Sequence, residues 1–243
     1  MPVFTDGFEN NFAPWTGIVA DPVSGTPSIV SSPVHHGVKA MSNWLAAVNY
    51  AYKTLDADYP HLFVRLYLQV NGLQDAVGRY FKVITLRDAS GAVRAQVGLA
   101  ASGSGVYQWE LWVEGVLMQY TDAVVPNHWY CIEIEFDSTT GIHRLYRDGE
   151  LIITNTTAST AAIREVDVGA TEINYWYASA YFDCVAVSET YNGPEVGPTL
   201  VTYSSSPITV PATIDGQIVP SGGKIEVPLN STITVIVPQE VTA

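Results

Sequence analysis

The stretch WYCIEIEFDSTTGIHRLYRDGELI, residues 129–152, decides the fold class of this chain. Apolar and polar residues alternate along its first part, so Ile132, Ile134 and Phe136 lie on one face of an extended strand. The turn STTG follows, and a second reversal falls at an Asp-Gly pair, a dipeptide typical of β-hairpins. The stretch therefore predicts consecutive antiparallel strands that each bury one face.

The same two-residue period recurs on both sides of this stretch. HLFVRLYLQV places four apolar side chains on one face, YFKVITLRD and VRAQVGLA flank the turn ASGA, and VYQWELWVEGVLMQY reverses at Glu114-Gly115. The longest candidate for a helix is MSNWLAAVNYAYKTL, residues 41–55, but its aromatic and β-branched content leaves helix and strand both open. About a dozen short strands predict an all-β, antiparallel jelly-roll sandwich.

The composition restricts the classes of function. Of 243 residues, 47% are hydrophobic and 14% are charged, which favours a folded core over disorder. The formal net charge of −13 disfavours nucleic acid and anionic membrane surfaces as partners, and it suits cations or neutral glycans. No run is long enough to span a bilayer, and the first residues lack the basic and apolar layout of a secretory signal.

The composition changes after Ser188. ETYNGPEVGPTLVTYSSSP is rich in Gly, Pro and Ser and indicates a linker. We therefore predict a main domain over residues 1–195, and a linker with a small β domain over residues 196–243. About 45 residues are marginal for an independent core, so we expect residues 199–243 to pack on the main domain, on another copy or on a partner.

Four stretches, taken in order, resemble the concanavalin A-like, laminin-G-like jelly-roll superfamily. They are FTDGFENNFAPWTG at the start, SPVHHGVKAM, the central stretch quoted above, and YFDCVAVSETYNGP. The resemblance is strongest to extracellular and phage-associated domains that begin with Asp-Gly-Phe-Glu, and it covers residues 3–195. It implies a jelly roll for that part of the chain, while the last segment looks like a generic small β domain.

The resemblance implies a structural calcium ion between the first and last strands. The matching carboxylates are Asp6, Glu9 and Asp183, and calcium takes six to eight oxygen ligands of this kind. The superfamily often has a second Asp where Cys184 stands, so one ligand is missing here. The alternative is that Asp6 forms a turn, Glu9 caps backbone amides and Asp183 bonds across strands.

Two cysteines, Cys131 and Cys184, are too few for a thiolate zinc site. They form either one disulfide between two strands or two buried free thiols.

A catalytic site finds little support in the sequence. Glu133 and Glu135 share a face, as a pair of glycosidase carboxylates does. Glucanases of the resembled fold, however, carry Glu-x-Asp-x-x-Glu on that strand, and here Glu135 stands in place of the Asp. We therefore interpret the two glutamates as the wet face of a strand, His35 and His36 as a surface turn, and the chain as no enzyme.

Aromatic residues are the strongest sign of a ligand. Flat rings stack on sugar faces, and the chain has 14 Tyr and 6 Trp, although aromatics also favour strands and cores. The candidates for a sugar platform are Trp109, Trp112, Tyr175 and Tyr177.

Two functions remain open at this point. The first is a non-catalytic carbohydrate-binding or adhesion module, extracellular or exposed on a cell surface, whose partner is a glycan or polysaccharide. The second is a structural or decoration protein of a virion or surface filament, with residues 199–243 docking on neighbouring subunits. The aromatic content favours the first, and the final apolar run STITVIVP favours the second because such a strand pairs readily with another chain.

Overall fold

The computed structural model describes residues 2–21, 25–72, 77–103, 106–174 and 178–195, with the backbone of five short strands between 199 and 236. The regular secondary structure of these residues consists of β-strands. No helix that could cross a bilayer is found among the described residues. Contacts along the chain divide it into two units, Met1–Pro194 and Glu195–Ala243.

The first unit is a sandwich of two antiparallel sheets, as the sequence predicts. Its strands are β1 (Phe4–Asp6), β2 (Gly17–Val19), β3 (Ser28–Val30), β4 (Ala40–Trp44), β5 (Asn49–Tyr59), β6 (His61–Val70), β7 (Tyr80–Arg87), β8 (Val93–Gly103), β9 (Val106–Val113), β10 (Val116–Asp122), β11 (Trp129–Asp137), β12 (His143–Arg147), β13 (Glu150–Asn155), β14 (Ile163–Asn174) and β15 (Ser179–Ser188). The eight-stranded sheet has the order β13-β12-β11-β6-β15-β4-β3, with β1 also paired to β15. The seven-stranded sheet has the order β10-β9-β8-β7-β14-β5-β2.

The predicted hairpins are confirmed. β7 pairs with β8, β9 with β10, and β12 with β13, each in antiparallel register. The tips at Glu114-Gly115 and Asp148-Gly149 have positive φ at both residues, which is the conformation of two-residue hairpin turns. The ambiguous residues 41–55 fall in β4 and β5, joined by a turn.

The core lies between the two sheets. The alternating residues of β6 and β11 supply its centre on one side, and Leu66, Ile132 and Ile134 are fully buried there. Phe81 and Leu111 are fully buried on the strands of the other sheet. Because the core takes one face of each sheet, the other face, called here the outer face, remains for polar side chains.

The second unit contains five strands in the part that the structure describes. They are β16 (Thr199–Thr202), β17 (Ala212–Ile214), β18 (Gln217–Val219), β19 (Lys224–Val227) and β20 (Val235–Ile236). β16 pairs with β19, and β17 pairs with both β18 and β20.

Candidate functional site

Two rows of side chains cross the outer face of the seven-stranded sheet. Residues directly opposite each other in antiparallel strands project to the same face. The first row runs across β9, β8, β7 and β14 as Trp112, Gln96, Thr85 and Asp167. The second row runs across the same strands as Glu110, Gly98, Lys82 and Glu172.

Lys82 is the centre of this face, although only 2% of its surface is exposed. Its ammonium forms a short ion pair with Glu110, two strands away, by passing over Gly98. A Cβ at position 98 would lie 2.6 Å from Lys82 Cδ, so the glycine makes this crossing possible. Lys82 Nζ also lies 4.8 Å from the ring centre of Trp112 and 5.1 Å from that of Tyr80, within cation–π range.

The two carboxylates of the second row, Glu110 and Glu172, also accept hydrogen bonds from neighbouring side chains. Glu110 accepts a hydrogen bond from Gln119 Nε2 at 2.8 Å. Glu172 accepts from the Tyr80 hydroxyl at 2.8 Å and from Gln96 Nε2 at 3.2 Å. The bond to Glu172 raises the pKa of Tyr80 to about 12, so Tyr80 keeps its proton. The network fixes these side chains in place before any ligand arrives.

Two shallow depressions open onto this face, and Trp112 stands between them. One has a volume of about 220 Å³ and is lined by Tyr80, Lys82, Gln96, Glu110, Trp112 and Glu172. The other, also of about 220 Å³, shares Gln96 and Trp112 and extends to Arg94 and Glu114. Trp112 is partly exposed. An aromatic ring in this position can stack on the face of a sugar. The fixed carboxylate and amide groups beside it can form hydrogen bonds with the sugar's hydroxyls.

The four aromatic residues predicted from the sequence have different fates. Trp112 lies on the outer face, as a sugar platform requires. The prediction that Trp109 belongs to a sugar platform is wrong, because its side chain is fully buried in the core. Its ring packs edge-on against Tyr130. Tyr175 and Tyr177 lie outside the described residues. The remaining members of the site, above all Tyr80, Lys82 and Glu172, were not predicted.

The predicted metal ligands accept hydrogen bonds from the protein. Asp6 accepts from Phe8 N and from the Trp15 indole, at 3.0 Å and 2.5 Å. The Asp6–Trp15 hydrogen bond joins the two ends of the opening motif. Within the motif, the Phe8 and Trp15 rings are stacked with their centres 5.7 Å apart. Burial raises the pKa of Asp6.

Glu9 and Asp183 hold the segment that follows β3. Glu9 Oε1 accepts from the amides of Val38 and Lys39, at 2.8 Å and 3.2 Å. Fully buried Asp183 accepts from the amides of His35 and His36 with Oδ2, at 2.9 Å and 3.0 Å.

These carboxylates fit a calcium cage poorly. N–H groups, which repel a cation, already point at the oxygens of Asp6 and Asp183. Among the described residues, the groups whose ligand atoms lie within 4.8 Å of one another do not include Asp6, Glu9 and Asp183. The geometry favours the hydrogen-bonding alternative, and calcium stays a prediction of the resemblance.

Of the two alternatives for the cysteines, the structure has the second, because both are free, buried thiols. Cys131 on β11 is opposite Tyr67 of β6, and Asp183, next to Cys184 on β15, pairs with Tyr67 from the other side. Strands that flank a common neighbour are about 10 Å apart. A disulfide spans at most about 7 Å between Cα atoms, so the bridge cannot form.

The outer face of the eight-stranded sheet is covered. The prediction that Glu133 and Glu135 form a solvent-facing side of their strand is therefore wrong. Both are buried. Glu133 accepts from the amides of Asn192 and Gly193, each at 2.8 Å, so the segment after β15 lies across it. Glu135 bonds His61 and Arg144.

The turn at His35 and His36 lies at the surface, as predicted, with His36 exposed and His35 half-buried against this face. The His35 ring stacks on Tyr67, with ring centres 3.6 Å apart.

Comparisons with known proteins support the sandwich. No protein-family model and no curated protein sequence matches the chain. The solved structures similar to it include the cellulose-induced protein Cip1, with a TM-score of 0.59 and 17% identity over 79% of this chain and 99% of that one. A carbohydrate esterase of the Shiga toxin-encoding bacteriophage phi24B has a TM-score of 0.57 and 13% identity over 77% of this chain and 97% of that one.

The receptor-binding domains of neurotoxins share the same architecture. The binding domain of botulinum neurotoxin serotype D has a TM-score of 0.54 and 12% identity over 88% of this chain. This chain covers 56% of that domain. At such identities the likeness establishes the fold: the first unit is an antiparallel β-sandwich of the kind found in these proteins.

Proposed function

We propose that this chain is a non-catalytic, surface-exposed carbohydrate-recognition module. Its binding face is the outer face of the seven-stranded sheet, and its partner is a glycan or cell-surface polysaccharide. The observation that carries the proposal is the position of Trp112, partly exposed between two depressions and beside a fixed network of carboxylates and amides.

Similar folds support this class of partner. One neighbour is described as a carbohydrate esterase, and another as a receptor-binding domain. The two depressions that flank Trp112 on the seven-stranded sheet give neighbouring sugar units of one chain a place to lie. An exposed location, outside the cell or on a virion, follows from a polysaccharide partner.

The role of each residue follows from its chemistry. The Trp112 ring stacks on the apolar face of one sugar unit. Glu172 and Gln96 form hydrogen bonds with its hydroxyl groups. The Lys82–Glu110 pair contacts Trp112 and fixes the position of its ring on the sheet. Charge-assisted hydrogen bonds of this kind are among the stronger polar contacts in a binding site.

Electrophoresis through gels containing neutral polysaccharides tests the proposal. Mixed-linkage β-glucan, mannan and starch form the panel. We expect at least one polymer to retard the wild type, and Trp112→Ala to abolish the retardation because the stacking surface is gone. Trp44→Ala is the matched control, since Trp44 is 47% exposed but lies on the other sheet. Retardation by no polymer, or equal loss in both variants, would refute the proposal.

A further inference from the structure

We infer that the outer face of the seven-stranded sheet selects neutral glycans and excludes those carrying carboxylates, such as uronates and sialates. The inference rests on the proposed function and names the ligand class of the same site. Its basis is the state of the cations around Trp112, which determine whether an anionic sugar finds a partner.

The Lys82 ammonium is closed to ligands. It is 2% exposed and has Glu110 against it, with the rings of Trp112 and Tyr80 on its flanks. A ligand carboxylate would have to displace Glu110 from a buried ion pair. Breaking such a pair by removing one partner is strongly unfavourable, because a buried charge loses its compensation.

Two arginines on nearby strands, more exposed than Lys82, also have carboxylate partners. Arg87 Nε donates to Asp167 at 2.8 Å. Arg94, which lines the second depression, contacts Asp88 at 2.5 Å and Glu114 at 3.0 Å. Each of these cations already has at least one carboxylate partner, which offsets its attraction for an acidic sugar.

The carboxylates at this site also favour neutral sugars over acidic ones. Lys82 balances one of the two carboxylates that line the first depression, and the negative charge of Glu172 is left over. Among the described residues, Glu172 accepts hydrogen bonds from the neutral donors Tyr80 and Gln96. An ionised carboxylate has about four acceptor positions, so Glu172 can still accept sugar hydroxyls. The chain's net charge of −13 adds repulsion toward any polyanion.

The test compares one polymer in two charge states. The neutral polysaccharide that retards the wild type is oxidised at C6, so that a hydroxymethyl group becomes a carboxylate on the same backbone. We expect binding to weaken at least about tenfold on oxidation, and added salt to reduce this difference. Glu172→Gln removes the unbalanced charge and should recover much of the binding to the oxidised polymer.

The outcomes separate the inference from the proposed function. If the oxidised polymer binds as well as the neutral one, or Glu172→Gln leaves the ratio of the two affinities unchanged, the inference is overturned while a Trp112-dependent glycan site stands. If neither polymer binds the wild type, the proposed function itself fails. Trp44→Ala serves again as the control that should keep the wild-type ratio.

Discussion

Asp167 is a fully buried carboxyl group on β14 with a single strong partner. Its Oδ2 accepts from Arg87, whereas Oδ1 has no hydrogen-bond partner among the residues that the structure describes. Burial raises its pKa to about 6, with Arg87 acting in the opposite direction. A pKa raised in the folded state means that stability from this group is present below its ordinary pKa and is lost as the pH rises through about 6.

Asp167→Asn should therefore gain stability relative to the wild type as the pH rises from about 4 to about 7. The shift corresponds to at most about 3 kcal/mol in the difference between their free energies of unfolding. Urea unfolding of both proteins across this range measures it. Parallel pH dependences would mean that Asp167 stays ionised throughout in the folded protein.

The two thiols give a second prediction at this scale. Burial raises the pKa of Cys131 to about 12, so the reactive thiolate is scarce at neutral pH. We expect a thiol reagent to leave Cys131 and Cys184 unmodified in the native protein and to modify both after denaturation without reductant. No reactive thiol in the denatured protein would point to a disulfide that the geometry excludes.

Single residues are also where the sequence was least informative about the site. Alternation predicts that Trp109 and Trp112 face opposite ways on β9, but it does not say which ring faces the core. Lys82 was missed because a lysine in an alternating strand ordinarily indicates a solvent-facing position. Its burial depends on Glu110 and Gly98 of other strands, and such pairing is not visible in one segment of sequence.

At the scale of elements, short-range signals were reliable and longer-range ones were not. The Asp-Gly and Glu-Gly tips predicted their hairpins because turn geometry is local. Residues 41–55 stayed ambiguous because the turn between β4 and β5 is made by side chains. Asn43 bonds Asn49 O at 2.5 Å, and Asn49 bonds Trp44 O at 2.9 Å.

The opening motif is an element that is hydrogen-bonded, through Glu9, to the segment between β3 and β4. Glu9→Gln keeps the shape of the side chain but weakens its bonds to the amides of Val38 and Lys39. We expect it to lower the free energy of unfolding by about 1 kcal/mol, in chelator and in millimolar calcium alike. Thermal unfolding under both conditions measures this.

A calcium ion would give a different pattern in the same experiment. The wild type would melt at a lower temperature with chelator than with calcium, since a ligand bound only to the native state stabilises it. Glu9→Gln would lose that difference. This result would restore the calcium site implied by the resemblance and contradict the hydrogen-bonding role.

At the scale of the whole first unit, the two outer faces differ in what lies on them. The segments around His35 and Asn192 cover the eight-stranded sheet. The seven-stranded sheet has the two depressions on either side of the partly exposed Trp112. The alternation of the sequence predicted both sheets, but not which face is covered, because coverage depends on loops far away in the chain.

The apolar cluster of the sandwich lies between Phe4 and Val187 among the described residues. A protein ending at Pro194 should therefore fold and unfold in one cooperative transition. Circular dichroism during heating checks this. A broad transition without cooperativity would mean that residues 195–243 are needed for the fold.

The same pair of proteins tests the structural role proposed for residues 199–243. Sedimentation of the full chain and of the truncated protein measures assembly. If the full chain assembles and the truncated protein does not, the virion or filament role gains its first direct support. A monomer in both cases leaves recognition of a glycan as the better account.

The most direct test of that account follows the indole N–H signals of the six tryptophans by NMR during titration with the polysaccharide that retards the protein. Substitution of Trp112, Trp109 and Trp44 by Phe, one at a time, assigns the three signals that matter. We predict that the Trp112 signal shifts and saturates, while those of buried Trp109 and of Trp44 on the other sheet stay in place. A saturating shift at Trp44 with none at Trp112 would place the ligand elsewhere and contradict the central claim.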